Sequence, residues 1–388
     1  MAIATRRSPA EKVKDSDAEW RDFVHTGPGT LAGRYLRMFW QPICRSRDLE
    51  PAQTKPVRVM GEDYTLYRGE GGTAHLTAFR CAHRGTQLSA AWVEGDHLRC
   101  YYHGWKYDAT GQCVEQPGEA EPFCERIRIR SCPVQEHIGL IFAYLGEGEP
   151  PQLPRYPELE DAEGLLENWY EEWPCNYFNR LENAPDLTHV HFVHHQSGAT
   201  IPYRIQAVET DYGMQTLTLR TPDQQEWTPG THFQMPNTNF WVGNPKDPGE
   251  TGPRIYIMWR VPVDDEHHMI LGSQRVRVAG EAAERYLARR QEAEELQQRA
   301  PMAEVGSAVL AGKLKTKYIA ESRWWDVNSV QDYVTLVGQG AIADREAEHL
   351  GQEDVGIVLL RSLYTRELRA LAEGKALKPW ARQPRPTR

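Results

Sequence analysis

The sequence lacks any hydrophobic run long enough to cross a membrane. One of its longest apolar stretches, "HIGLIFAYLG" at 137–146, is about half of the roughly 20 residues that a spanning helix needs. Residues 1–20 include basic side chains but no apolar core of the kind found in secretory signals. Basic charge is scarce too, because 45 Lys and Arg stand against 54 Asp and Glu, a net charge of −9. We therefore expect a cytoplasmic protein that binds neither membranes nor nucleic acid.

The cysteine and glycine patterns argue against two further classes of protein, disulfide-rich proteins and dinucleotide-binding proteins. Seven cysteines in 388 residues are too few for a disulfide-stapled scaffold, and their odd number favours reduced thiols. The glycine-rich fingerprint that holds a dinucleotide phosphate is also missing. The chain is therefore expected to contain neither a disulfide framework nor its own nicotinamide or flavin site.

The remaining pattern predicts an α+β protein with two domains after a polar tail. Residues 30–43 place aromatic and aliphatic side chains at helical intervals, which predicts a short docking helix. Between about 50 and 150 the segments are short and alternating, with turns at "GEGG" (69–72) and "ATGQ" (109–112), as in a small antiparallel sandwich. A proline-rich connection near 150–160 marks a boundary. The predicted units are a tail and docking helix over 1–45, an all-β domain over 46–155 and a second domain over 156–388.

The second domain should combine an antiparallel sheet with helices. Residues 203–280 contain long alternating segments such as "RIYIMWRVPV", which predict antiparallel strands. Helices are expected over 177–196, over 281–299 and as a pair over 340–374.

Two short clusters in the first domain carry metal-ligand residues. Cys81 and His83 form one cluster, and Cys100 and His103 form the other, with sixteen residues between them. A structural zinc site is one interpretation, although zinc sites usually pair like ligands within a loop. One thiol and one imidazole from each loop suit two iron atoms better, with both cysteines on one iron and both histidines on the other.

The residues that flank these ligands complete a family pattern. Gly85 follows the first cluster, and Gly104 and Trp105 follow the second, where the backbone must fold tightly around inorganic sulfide. The pattern C-x-H-x16-C-x2-H followed by Gly-Trp resembles that of the Rieske non-haem iron oxygenases. On this motif alone a simple electron carrier also fits, and the second metal motif argues against it.

A second group of metal-ligand residues contains four histidines, His189, His191, His194 and His195. A non-haem iron site uses two histidines and one carboxylate and leaves other positions open. His191 and His195 are four apart and would share one helical face, whereas His189 and His194 are five apart and need a bent or π-bulged helix. A histidine-rich helix without a metal is the plain alternative.

The family resemblance selects among these histidines. The oxygenase motif Asn-x2-Asp-x2-His-x4-His falls on Asn183, Asp186, His189 and His194. His191 and His195 then face the core or the substrate pocket.

The resemblance also implies a distant carboxylate as the third iron ligand. It falls on Asp332, expected near the start of the last long helix, whereas spacing alone leaves Asp326, Asp344 and Asp354 open. Other polar residues of this region are expected to fix the helix and its turn, namely Arg345, Glu348 and Asp354.

Asp186 has a separate implied role in the assembly. In this family the corresponding Asp connects the Rieske cluster of one subunit, here through His103, to the iron-bound histidine of its neighbour, here His189. This implies a homotrimer or a dimer of trimers. The alternative is a carboxylate that caps a helix.

The resemblance further implies the cofactors, partners and chemistry. These are one Rieske [2Fe–2S] cluster, one mononuclear Fe(II), and a separate NAD(P)H-dependent reductase or ferredoxin that delivers electrons. The segments at 61–89 and 139–158 are similar to O-demethylases of lignin-derived biaryls in the phthalate dioxygenase-like branch, and the catalytic domain should be a helix-grip, START-like fold. Ring hydroxylation of an aromatic carboxylate such as phthalate or chlorobenzoate is the alternative.

The substrate pocket has only weak sequence signals. The aromatic-rich segments 234–243 and 254–260 are candidates for its walls, although aromatic strands more often belong to the core. Arg204, Arg254 and Arg260 are candidates for binding a substrate carboxylate.

Overall fold

A computed structural model describes residues 20–160, 163–243, 249–299, 301–321 and 327–381. The first part is β-rich, with short strands and one helix. Its elements are α1 (Leu31–Arg37), β1 (Trp40–Arg45), β2 (Thr54–Val59), β3 (Glu62–Arg68), β4 (Ala74–Ala78), β5 (Trp92–Glu94), β6 (His97–Arg99), β7 (Lys106–Tyr107), β8 (Cys113–Glu115), β9 (Ser131–Cys132), β10 (Val134–His137) and β11 (Leu140–Tyr144).

These strands form three antiparallel sheets, in the orders β1-β11-β10, β2-β3-β4-β9 and β5-β6-β7-β8. The β3–β4 hairpin runs from the Tyr64–Ala78 pair to the Arg68–Ala74 pair, so "GEGG" is its tip. Residues 109–112 turn between β7 and β8. Both turns expected from the sequence are confirmed.

Helix α1 is shorter than the predicted docking helix. The Thr30 hydroxyl caps it by accepting a hydrogen bond from the Gly33 backbone N–H at 3.1 Å. From Trp40 onward the chain is a strand that pairs with β11, so the expectation of helix is wrong for 40–43. Pro42 explains part of this, because a proline in a helix interior removes a hydrogen bond and clashes with the preceding turn.

The second part contains one large sheet and most of the helices. Its seven strands follow the order β12-β18-β17-β16-β15-β14-β13 and are antiparallel throughout. The elements are α2 (Pro157–Glu160), β12 (Leu165–Trp173), α3 (Tyr177–Asn183), α4 (His189–Val193), β13 (Arg204–Glu209), β14 (Gly213–Leu219), β15 (Thr228–Gln234), β16 (Thr238–Gly243), β17 (Arg254–Pro262), β18 (His268–Val276), α5 (Gly280–Arg299), α6 (Met302–Leu310), α7 (Thr316–Glu321), α8 (Val327–Val337) and α9 (Val355–Ala372).

This arrangement confirms the α+β class, the strands within 203–280 and the helix over 281–299. The expected helix pair over 340–374 is wrong, because only α9 is present there, preceded by a short 3-10 turn at Gln352–Asp354. Gly340, with a φ of +96°, follows the end of α8, and a backbone in this conformation cannot continue a helix. The predicted helix over 177–196 is interrupted between α3 and α4, next to Pro185.

The two faces of the large sheet pack against different partners. On one face, the Trp259 ring lies 5.5 Å from the ring of Phe142 in β11, so this face meets the β-rich part. The other face carries Ile270, which belongs to one apolar cluster with Tyr333 and Leu336 of α8. Helix α8, which carries Asp332, therefore packs on this second face.

In the described part of the chain, no helix is both long enough and apolar enough to span a bilayer.

Candidate metal centres

The two cysteine–histidine loops have matching backbones. The Gly85 N–H donates to the Cys81 carbonyl at 2.9 Å, and the Gly104 N–H donates to the Cys100 carbonyl at 3.0 Å. Both glycines have a φ of +73°, a conformation that other residues rarely adopt. One loop connects β4 to β5 and the other connects β6 to β7, so the sheets present two similar loops to one site.

The side chains of these loops are arranged as two thiols and two imidazoles. Cys81 and Cys100 are each 3% exposed. Burial first, and then the neighbouring Cys100 thiol, raises the pKa of Cys81. The rings of His83 and His103 are 4.5 Å apart, and His83 stacks on Trp105 at 4.6 Å. The stacking holds the His83 imidazole in place.

The spread of the donor atoms argues against a single zinc ion. Within the residues that the structure describes, no three of the four side chains bring ligand atoms within 4.8 Å of one another. Zinc–ligand bonds of about 2.0 to 2.3 Å would require all four to lie closer than that. His83 Nδ1 is buried and has no hydrogen-bond partner, as expected for a nitrogen that binds metal. The donor set therefore fits a two-iron cluster.

Tyr107 contacts this site, although the sequence had not marked it. Its hydroxyl lies 3.1 Å from Cys81 Sγ and accepts the Ala82 N–H at 3.1 Å. Burial, followed by the Cys81 thiol, raises the pKa of Tyr107, so the hydroxyl keeps its proton. That proton is available to donate to the sulfur.

The second site brings together His189, His194 and Asp332. Their ligand atoms all lie within 4.8 Å of one another, and no other such group occurs in the described segments. Asp332 Oδ1 is 3.1 Å from His194 Nε2 and 4.0 Å from His189 Nε2. Two imidazoles and one carboxylate around one point are the donors that non-haem iron(II) uses.

The five-residue spacing of the histidines does not need a π-bulge. His189 is the first residue of α4, and the helix ends at Val193. His194 has φ −106° and ψ 44°, outside the helical region, which turns its ring back toward His189. The spacing predicted a bent or bulged helix, but the structure instead has a helix that ends before His194.

Asp332 lies in the middle of α8, not near the start of the last long helix. Arg180 Nη1 donates to Asp332 Oδ2 at 2.8 Å, whereas Oδ1 is buried without a hydrogen bond. Burial alone would raise the pKa of Asp332, but the charge of Arg180 and the interactions with His194 and His189 together outweigh it and lower that pKa below its usual range. The carboxylate is therefore ionised, with one oxygen free toward the histidines.

Gln331 orients the second histidine. Its Oε1 accepts a hydrogen bond from His194 Nδ1 at 2.9 Å, so His194 Nε2 is the nitrogen that faces Asp332. Gln196 Nε2 in turn donates to Gln331 Oε1 at 2.9 Å.

Asn183 and Asp186 lie beside His189. Asn183 Nδ2 is 3.3 Å from His189 Nε2. Asp186 Oδ1 accepts the backbone N–H groups of Thr188 at 2.9 Å and of His189 at 3.2 Å, so this carboxylate caps α4. Its other oxygen lies 3.5 Å from His189 Nδ1. Asp186 therefore caps the helix, as the alternative interpretation expects, and its Oδ2 still faces the His189 ring.

The remaining candidates from the sequence lie elsewhere. His191 Nδ1 bonds to the Ala199 carbonyl at 2.6 Å, and His195 is exposed. Asp344 is exposed, and Asp326 lies outside the described residues. Three polar residues fix the chain around α9 as predicted: Arg345 pairs with Glu182 at 2.8 Å, Glu348 with Arg361 at 2.7 Å, and Asp354 accepts the Gly351 N–H at 2.6 Å.

The three candidate arginines differ in their surroundings. Arg204 is exposed, with its guanidinium over the Tyr203 ring. Arg254 pairs with the buried carboxylate of Glu250. Arg260 is 2% exposed and lies on β17. In the aromatic segments, Phe240 and Trp259 belong to the core.

Arg180 and Gln331 were missed by sequence reasoning. Gln331 adjoins a predicted ligand, and Arg180 lies three residues before Asn183 on the same helix, so both had a positional signal. Their partners could not be inferred, because α3 and α8 are far apart in the chain.

Comparison with known proteins shows what the whole chain resembles. Residues 39–136 match the model of the Rieske [2Fe-2S] domain. The chain is 33% identical to the 5,5'-dehydrodivanillate O-demethylase oxygenase subunit of Sphingobium sp. (strain NBRC 103272 / SYK-6), over 95% of this chain and 84% of that protein. It is 30% identical to phenoxybenzoate dioxygenase subunit alpha of Ectopseudomonas oleovorans, over 89% and 84%.

A solved structure has the same fold. In the reduced complex between oxygenase and ferredoxin of carbazole 1,9a-dioxygenase, the matched chain aligns with a TM-score of 0.60 at 19% identity, covering 92% of this chain and 95% of that one.

Proposed function

This chain belongs to the Rieske non-haem iron oxygenases, and we propose that it is the terminal oxygenase of a multicomponent system that demethylates a methoxylated aromatic acid. The similarity to a 5,5'-dehydrodivanillate O-demethylase, which extends over nearly the whole chain, carries the choice of reaction. The triad of His189, His194 and Asp332 supports an oxygenase over an electron carrier, because a carrier needs no second metal site.

A Rieske [2Fe–2S] cluster and a mononuclear iron are the cofactors of this family member. We propose that Cys81, Cys100, His83 and His103 hold the cluster, and that His189, His194 and Asp332 hold the iron. The cluster supplies electrons one at a time, and the iron supplies the place where O₂ is activated beside the substrate.

The protein prepares the iron site through its own hydrogen bonds. Arg180 keeps Asp332 ionised and directs Oδ1 toward the histidines. His194 Nδ1 donates a hydrogen bond to Gln331 Oε1, so Nε2 is the nitrogen that would bind the iron. Three protein donors leave further coordination positions open, which the reaction requires.

Asp186 is proposed to connect the two centres across a subunit boundary. Its Oδ2 faces His189 Nδ1 at 3.5 Å, and a carboxylate has acceptor capacity left for a second imidazole. In a homotrimer, or a dimer of trimers, that second imidazole would be His103 of the next subunit. His103 is partly exposed, as such a contact requires.

Electrons are proposed to come from a separate NAD(P)H-dependent reductase, directly or through a ferredoxin. The sequence contains no dinucleotide fingerprint, and an oxygenase of the same fold forms a complex with a ferredoxin. The net charge of −9 offers a basis for recognition by a complementary surface.

The proposed reaction inserts one oxygen atom of O₂ into a methyl C–H bond of an aryl methoxy group. The second oxygen atom leaves as water after two electrons and two protons are added. The hemiacetal product then releases formaldehyde and leaves a phenol.

Measurement of formaldehyde and oxygen together tests this proposal. The holoenzyme, supplied with a reductase and NADH, would be incubated with 5,5'-dehydrodivanillate. We expect one formaldehyde for each O₂ consumed. Oxygen uptake with no formaldehyde and with a hydroxylated ring would refute demethylation and support ring hydroxylation, which the similarity to phenoxybenzoate dioxygenase favours as the second candidate.

A further inference from the structure

Arg260 is held rigidly inside the catalytic sheet. Its side chain is 2% exposed. Its backbone N–H donates to the Asn237 carbonyl at 3.0 Å, and Asn237 Nδ2 donates back to the Arg260 carbonyl at 2.8 Å. Strand β17 also pairs on both sides, with β16 and β18. The backbone of Arg260, from which the side chain extends, is therefore held in a fixed position.

The side chain lies on the face of the sheet that carries the iron triad. Arg260 is directly opposite Ile270 on β18, and Ile270 is directly opposite Glu171 on β12. Residues directly opposite in antiparallel strands point to the same face. Ile270 packs in one apolar cluster with Tyr333 of α8, the residue that follows Asp332. Arg260 thus shares its face with the helix that holds the third predicted ligand.

Arg260 has few hydrogen-bond partners among the residues that the structure describes. A guanidinium has five N–H donors. Within the part of the chain that the structure describes, its single hydrogen bond runs from Nη1 to the Met258 carbonyl at 3.4 Å, and Nε is buried without a partner. No ion pair of Arg260 is found among the described residues. A buried cation with unfilled donors is costly to the fold, which indicates a site that is completed by another molecule.

The two carboxylates whose charges act on Arg260, Asp332 and Glu171, each have another hydrogen-bond partner. Arg180 occupies Asp332 Oδ2, and Glu171 Oε2 accepts a hydrogen bond from Trp173 Nε1 at 2.9 Å. Burial, followed by the charge of Arg180, lowers the pKa of Arg260 to about 9, which leaves it protonated at neutral pH.

The other two candidate arginines do not offer such a site. Arg204 is exposed, and Arg254 is paired with Glu250. We propose that Arg260 binds a carboxylate of the aromatic substrate and so holds the substrate's methoxy end toward His189, His194 and Asp332. This inference rests on the proposed function and names the residue that binds the acid group of the substrate. A planar guanidinium can meet a carboxylate through two parallel hydrogen bonds, which an ammonium cannot.

Titration calorimetry measures substrate binding directly and so tests this role without requiring turnover. The iron-loaded holoenzyme would be titrated with 5,5'-dehydrodivanillate and with its dimethyl ester. In R260Q we expect the Kd of the acid to rise about ten- to a hundredfold, as for the loss of a charge-assisted hydrogen-bonded pair, while the Kd of the ester stays nearly unchanged. R260K should lie between wild type and R260Q.

R204Q is the matched control, because it removes an exposed arginine. The affinity of R204Q for 5,5'-dehydrodivanillate should equal that of the wild type. Visible absorption of the cluster and iron content show whether each variant is folded, and R260K keeps the test decisive if R260Q does not fold.

The possible failures can be told apart. Equal weakening of acid and ester in R260Q, unchanged acid binding in R260Q, or absence of acid binding in the wild type would each overturn the carboxylate anchor. If the wild type binds the acid through Arg260 and releases no formaldehyde, the anchor stands and demethylation fails. If formaldehyde is released and R260Q binds the acid normally, demethylation stands and the anchor fails.

Discussion

Arg180 Nη1 donates a 2.8 Å hydrogen bond to Asp332 Oδ2, so a buried guanidinium holds one side of the carboxylate while Oδ1 faces two imidazoles. Arg180 is itself placed by Trp173, with its guanidinium 4.9 Å from the ring centroid. The sheet therefore positions the carboxylate through an arginine on a different helix.

Replacement of Arg180 with glutamine should weaken iron binding. Loss of a partner that orients a ligand typically reduces metal affinity about ten- to a hundredfold. We expect R180Q to show a correspondingly weaker Fe(II) titration with unchanged cluster absorption. R345Q is the control, since Arg345 is paired with Glu182. It should lower the melting temperature and keep iron affinity. An R180Q variant with wild-type affinity would contradict the orienting role.

Tyr107→Phe should lower the reduction potential of the Rieske cluster. The hydroxyl lies 3.1 Å from Cys81 Sγ, and donation to a cluster sulfur stabilises the reduced, more negative state. A hydrogen bond of about 1 kcal/mol corresponds to about 40 mV for a one-electron couple. Voltammetry on Y67F provides the comparison, because the Tyr67 hydroxyl bonds to the Asp96 carbonyl. Equal potentials in Y107F and wild type would exclude the donor role.

Gly104→Ala should impair cluster incorporation. A Cβ on Gly104 would lie 2.9 Å from Pro117 Cγ, and the φ of +73° is unfavourable for alanine. A strained backbone of this kind costs about 1 to 3 kcal/mol. Iron and sulfide content and the melting temperature should fall. G118A serves as the control, because a Cβ there meets no atom within 4 Å. Full cluster content in G104A would show that the loop tolerates a side chain.

Asp186→Asn should uncouple the two centres without unfolding α4. Asparagine caps helices about as well as aspartate, so stability should change little. It cannot supply a negative charge between two imidazoles, and turnover should fall more than about tenfold. Stopped-flow oxidation of the reduced cluster, with substrate and O₂ present, measures the transfer step. D344N, at an exposed carboxylate, should match the wild type. Normal cluster oxidation in D186N would remove the proposed bridge.

Local spacing in the sequence determined much of this protein. The two cysteine–histidine clusters, the turns at 69–72 and 109–112, and the helix over 281–299 all depend on neighbouring residues, and the structure contains both turns and the helix. Near Pro42 and near Gly340, which has a positive φ, the predicted helices were longer than those in the structure.

Only the tertiary structure decided how distant elements meet. His194 leaves α4 and approaches Asp332 on α8, Arg180 on α3 reaches the same carboxylate, and register places Arg260 on the triad's face of the sheet. A change of one residue in strand register would turn Arg260 to the opposite face. Local residue patterns do not contain that register, because it depends on packing between segments far apart in the chain.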